Sequence, residues 1–140
     1  MIVLDTNVLS EPMRSSPDAG VLEWLRRLDE PTMITAITVG ELLDGASRLD
    51  PGRRRDGLIM AIEQVIEAHR GSVLSYDDRA ARVYARLQAK RRAAGRPLSV
   101  EDGMIAAICV VVGARLATRN TRDFDGLGVE LVDPWRTGDD

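Results

Sequence analysis

One cysteine, Cys109, and one histidine, His69, are all the sequence has of the residues that build zinc clusters and most nucleophilic sites. A disulfide framework and a cysteine- or histidine-ligated zinc site are both excluded by that count. With His69 alone, no Ser-His or Cys-His nucleophile finds its base, which sets hydrolase triads aside. Aromatics are equally sparse: Trp24, Tyr76, Tyr84, Phe124 and Trp135. Five scattered rings do not make a base-stacking platform, and Phe124 and Trp135 are expected to anchor the C-terminal segment to the core. The longest apolar run, Met104 to Ala114, is too short to span a bilayer. The opening Met-Ile-Val-Leu-Asp has no basic region before its apolar residues, so no leader and no membrane are expected, and the cytoplasm is the expected location. No repeat, low-complexity tract or linker divides the chain, and residues 1–140 are expected to form one domain.

Acidic residues at structural junctions are what the sequence does have. Asp5 ends an apolar strand at Ile2-Val3-Leu4, Glu41 lies at the start of a helix from Val39 to about Leu49, and Asp102 opens another from Val100 to Val112. Asp123 falls in a loop near the C-terminus. Further helices are expected over Pro17-Asp18 to Leu28, Arg54 to Ala68 and Asp78 to Ala94, with a short helical stretch between Asp5 and Pro12. Strands are expected at Met33-Ile34-Thr35, Val73-Leu74, Arg115 to Thr118 and Glu130 to Val132. Short apolar strands alternating with helices indicate an α/β fold with a mainly parallel central sheet of about five strands. Ligands in such folds sit beyond the carboxyl ends of the strands, where Asp5 falls.

Capping accounts for each acid taken alone. Asp5 is placed as a helix N-cap, Thr38-Val39-Gly40-Glu41 and Ser99-Val100-Glu101-Asp102 fit capping boxes, and Asp123 can close a turn. Together they mean more. Asp5 and Asp102 adjoin nearly all-apolar segments, and several carboxylates at the mouth of a core repel one another unless a divalent cation binds among them. All-oxygen donors suit Mg²⁺ or Mn²⁺.

The net charge of −3 hides a basic segment. Arg79, Arg82, Arg86 and Lys90 recur at helical spacing, with Arg91, Arg92 and Arg96 following and no acid among them. A solvated outer face is the ordinary outcome for such a run. A surface that tracks phosphates, or a docking face for an acidic partner, is the competing one, and the lack of interleaved acids favours it.

Four stretches carry a resemblance: Met-Ile-Val-Leu-Asp-Thr-Asn-Val-Leu-Ser-Glu-Pro, Ile-Thr-Val-Gly-Glu-Leu, Val-Glu-Asp-Gly-Met-Ile-Ala-Ala and Ala-Thr-Arg-Asn-Thr-Arg-Asp-Phe. In this order they resemble PIN-domain proteins, and more narrowly the VapC toxins of bacterial toxin–antitoxin pairs, including the FitB-like branch. The resemblance implies a three-layer α/β/α fold and a Mg²⁺-dependent endoribonuclease, with Mn²⁺ able to substitute. It also implies a homodimer, an antitoxin that covers the active site, and contact with operator DNA only through that antitoxin. It makes Asp5 and Asp102 the metal ligands, Glu41 the third acid and Asp123 the fourth, with Asn120 beside it. Thr6, Asn7, Thr118 and Asn120 are expected to hydrogen-bond around the ligands, and Arg79, Arg82, Arg86 and Lys90 to hold flanking phosphates of an RNA such as tRNA or rRNA. The alternative is a non-catalytic module that acts with an antitoxin as a co-repressor on operator DNA.

Overall fold

The computed structural model describes residues 1–136, so residues 137–140 of the expected domain lie outside the described residues. Ile2-Val3-Leu4 has only apolar side chains and forms β1 (Ile2–Leu4), buried throughout. A strand buried on both faces belongs in the middle of a parallel sheet. β1 pairs in parallel with β2 (Thr32–Thr35) on one side and β4 (Arg115–Ala117) on the other. β3 (Val73–Leu74) extends the sheet beyond β2, and β5 (Leu131–Val132) beyond β4, giving the order β3-β2-β1-β4-β5 with every pair parallel. The chain winds outward from β1 to β3 and then returns to place β4 beside β1. The switch point therefore lies between β1 and β4, and folds of this kind bind ligands there, beyond the strands' carboxyl ends.

Helices fill both faces. α1 (Thr6–Ser10), α2 (Ala19–Arg27), α3 (Ala36–Ser47) and α4 (Arg53–Ala68) lie on the side that receives Ile2, Leu4, Ile34 and Ala117. Between α1 and α2, Pro12 falls in a 3₁₀ turn (Glu11–Met13), the interruption expected of it. Val3, Leu116 and Met33 point the other way, onto α6 (Val100–Val112) through Ile105, Ala106 and Cys109. α5 (Asp78–Ala93) covers the outside of α6 by packing Ala80 and Val83 on Ala107 and Ile108. Lying between sheet and α5, α6 has little face left for water, which explains why its sequence is apolar nearly all round. Each large side chain so buried contributes about 1.5–3 kcal/mol. The layers are α/β/α.

At two helix starts the capping differs from the sequence reading. α3 begins at Ala36, three residues before Val39, because Thr35 supplies the cap: its hydroxyl accepts the Thr38 N–H at 3.1 Å. Glu41 thus lies in the second turn and closes no capping box with Thr38. At α6 the expected box is half kept, since Ser99 caps by accepting the Asp102 N–H at 3.2 Å. Gly113, at φ 70°, ends that helix in the left-handed conformation that glycine adopts without strain.

Candidate active site

Asp5 leaves β1 at the switch point and caps α1. Its Oδ1 accepts the Thr6 N–H at 2.8 Å, and its Oδ2 accepts the Thr118 hydroxyl at 2.7 Å and the Asn7 amide at 3.3 Å. Thr118 follows β4 directly and is fully buried, so adjacent central strands deliver donor and acceptor to each other. Asp5 itself is only 5% exposed. Three donors occupy most of the lone pairs of a carboxylate, which fixes its rotamer and leaves about one oxygen direction free.

Glu41 approaches from α3, and its Oε1 accepts the Thr6 hydroxyl at 3.1 Å. The hydroxyls of Thr6 and Thr38 lie 3.3 Å apart, and that of Thr35 lies 3.3 Å from Thr38. This chain of buried or half-buried hydroxyls joins the end of β2 to the site. Asp102 enters in the first turn of α6, half-buried. Asp123 sits in a second 3₁₀ turn (Thr121–Phe124), exposed, while its neighbour Phe124 is buried in the core. Asn120 enters through its backbone, whose N–H donates to the Thr118 hydroxyl oxygen at 3.0 Å. Asn7 bridges in both directions, since its Oδ1 also accepts the Arg119 N–H at 3.2 Å.

The carboxylates feel one another. Burial is the largest cause pushing the Asp5 carboxyl up, opposed by its hydrogen bonds from Thr118, Thr6 and Asn7 and reinforced by the charge of Asp123. Burial likewise raises Glu41, with the Thr6 bond opposing and Asp5, Asp102 and Glu101 adding. Asp102 is raised by burial first, against its Ser99 bond and with Asp5, Asp123 and Glu101. The buried Cys109 thiol is pushed up to about 12, which removes it from the chemistry.

Among the described residues no three carboxylate, imidazole or thiolate groups converge into a closed metal cage. Mg²⁺ needs none, since it keeps several waters and takes one or two carboxylates, with substrate phosphate completing its octahedron. An oxygen-only cluster of mutually repelling carboxylates, with Asp5 fixed and partly free to coordinate, fits such a cation.

The expected basic face is divided. Arg79, Arg82 and Arg86 are exposed and line a groove with Val110 and Val111 at the far end of α6, about 12 Å along the helix axis from Asp102. Arg82 has an acidic partner after all, Asp78 at 3.7 Å, which precedes the stretch. Lys90 lies at the other end, where its ammonium donates to the Gly126 carbonyl at 2.9 Å. The structure does not bring the three arginines to the carboxylates. Arg91, counted in the sequence only as added charge, is buried, and its guanidinium donates to Asp123 O at 2.7 Å and Asp125 O at 2.8 Å. A signal for it existed: Ala80, Val83, Leu87 and Arg91 recur at spacings of three, four and four, so Arg91 falls on the inner face of α5.

Comparison with known proteins agrees with this architecture. The PIN domain model matches residues 2–129. The VapC ribonuclease Y4jK of Sinorhizobium fredii is 40% identical over 137 residues, covering 96% of this chain and 98% of that protein. Toxin FitB of Neisseria gonorrhoeae is 36% identical over 137 residues, covering 96% of this chain and 99% of that one. Among solved structures, FitAB bound to the IR36 DNA fragment superposes with a TM-score of 0.91 at 35% identity, covering 96% of each chain. The structural neighbours include toxin–antitoxin complexes, some of them bound to DNA.

Proposed function

Because the chain belongs to the PIN-domain family, in the branch that holds VapC and FitB toxins, we propose that it is the toxin of a toxin–antitoxin pair and a Mg²⁺- or Mn²⁺-dependent endoribonuclease. The observation that carries the reading is the gathering of Asp5, Glu41 and Asp102 near the carboxyl end of β1, each carboxyl raised by burial and by its acidic neighbours. Such a site holds more negative charge than it can stabilise alone.

Asp5 and Asp102 would hold the cation. When bound, it supplies positive charge to a phosphodiester and acidity to water. Thr118, Thr6 and Asn7 keep the Asp5 carboxylate in one orientation and favour its ionised form against the effect of burial. Glu41, held by Thr6, and Asp123, at the rim, are the bases available to orient an attacking water and take its proton. In-line attack then leaves a 3′-hydroxyl and a 5′-phosphate. Arg79, Arg82 and Arg86 hold phosphates away from the cleaved bond along the α5–α6 groove.

A cognate antitoxin and a homodimer complete this reading, with tRNA or rRNA as the substrate class. DNA contact is assigned to the antitoxin, as the DNA-bound neighbours favour. No helix among the described residues is long and apolar enough to cross a membrane. The test is to induce the chain and its Asp5→Ala variant in cells and map RNA 5′-ends. Growth arrest with a recurrent cleavage site for the parent alone supports the proposal. Arrest by both, without new 5′-ends, favours the co-repressor or another non-catalytic activity.

A further inference from the structure

The end of the basic segment turns inward onto one loop. Arg91 donates from Nη2 to Asp123 O and Asp125 O, and from Nη1 to Arg96 O at 3.4 Å. Lys90 donates to Gly126 O, and Arg96 donates from Nη2 to Arg122 O at 3.1 Å. Three cations of the run, Lys90, Arg91 and Arg96, thus take the carbonyls of Arg122, Asp123, Asp125 and Gly126. These carbonyls belong to the 3₁₀ turn that carries Asp123 and to the residues just after it. Arg91 has no carboxylate partner among the described residues, so a buried guanidinium is satisfied by backbone alone. A buried charge is costly unless it is hydrogen-bonded. The Asp123, Asp125 and Gly126 carbonyls lie outside any strand pairing, whereas that of Arg122 also accepts the Asp125 N–H at 3.5 Å. Each therefore holds the other in place.

The same helix grips the other acidic segment. Gln88 of α5 is bonded on both sides of Leu98, accepting its N–H at 2.8 Å and donating to its carbonyl at 2.9 Å, just before the Ser99 cap of α6. Gly103, next to Asp102, leaves room for Tyr84 of α5: a Cβ there would lie 2.6 Å from the ring. The inner face of α5 thus fixes the first turn of α6 and the 3₁₀ turn to one rigid body.

We propose that Arg91 is a positioning residue: by tying the Asp123 segment to α5, it sets Asp123 against Asp102 for binding a divalent cation. This rests on the nuclease reading and on Asp123 as its fourth acid. The exposed carboxylate of Asp123 has no side-chain hydrogen bond of its own among the described residues, so its location depends on the backbone that Arg91 holds.

The test measures Mn²⁺ binding to the purified protein by calorimetry, with RNA cleavage measured alongside. Arg91→Met and Asp123→Asn are each expected to weaken Mn²⁺ about tenfold. Arg91→Met combined with Asp123→Asn is expected to bind no more weakly than Asp123→Asn alone, because the arginine acts through the carboxylate. Wild-type affinity in Arg91→Met, or penalties that multiply in the double variant, overturns the proposal. If Arg91→Met does not fold, Arg91→Lys replaces it in both arms, since a lysine keeps the charge but cannot span two carbonyls as a fork. Wild-type affinity in Arg91→Lys then overturns the proposal, and a severalfold loss absent on the Asp123→Asn background supports it. If Asp123→Asn leaves Mn²⁺ binding unchanged, the proposal falls, while the nuclease reading stands on Asp5 and Asp102. Failure of the parent protein to bind Mn²⁺ removes both.

Discussion

Thr118 carries no charge and exposes no surface, yet it decides where the Asp5 carboxylate points, through a 2.7 Å hydrogen bond between the two central strands. Thr118→Val keeps the shape and removes the donor, and should cost about 10–100-fold in Mn²⁺ affinity or activity, with Thr118→Ser restoring most of it. The carboxyls give a second prediction at this scale. Asp5, Glu41 and Asp102 bind protons more tightly folded than unfolded, so folding takes up protons where they titrate. The cation-free protein should then lose stability as pH rises from the ordinary carboxyl range, near 3.8 for Asp and 4.5 for Glu, through their raised values. In chelator at neutral pH, Asp102→Asn should melt above the parent, the gap closing as pH falls toward 4; equal melting at every pH contradicts this. Asp5 and Asp102 were legible in the sequence because a cap and a strand end are local patterns. For Arg91 the spacing with Ala80, Val83 and Leu87 signals an inward place, but its partners were not legible, because they lie 32 and 34 residues away.

At the scale of elements, α5 and α6 are held together where the site is built. Gly103→Ala places a methyl against Tyr84 at the first turn of α6, and overpacking there should destabilise the protein by about 1–3 kcal/mol. Tyr84→Leu in the same chain opens the space and should recover a good part of it, measured by urea unfolding. Most element positions followed from apolar periodicity, glycine stops and proline breaks. The start of α3 did not, since the sequence pattern put Thr35 at the end of the strand and the cap at Thr38. Thr35 takes the role because it ends β2 in extended backbone and its hydroxyl faces the Thr38 N–H. That three-residue shift moves Glu41 from a cap to the second turn, from which it reaches Thr6 on the neighbouring helix.

For the whole molecule, strand order makes the site. A parallel sheet and the α/β class were readable from alternating short strands and helices, whereas β3-β2-β1-β4-β5 was not, because parallel pairing depends on contacts between segments far apart in sequence. That order sets Asp5 and Thr118 side by side, with Glu41 approaching from α3 and Asp102 from α6. The most direct measurement of the central claim is cleavage of an end-labelled structured RNA by the purified chain, in Mg²⁺ and in chelator, beside folded Asp5→Asn and Asp102→Asn variants. Discrete cleavage in Mg²⁺ by the parent, lost in chelator and in both variants, is the expected result. Undiminished cleavage by either variant, or by the parent in chelator, would contradict it.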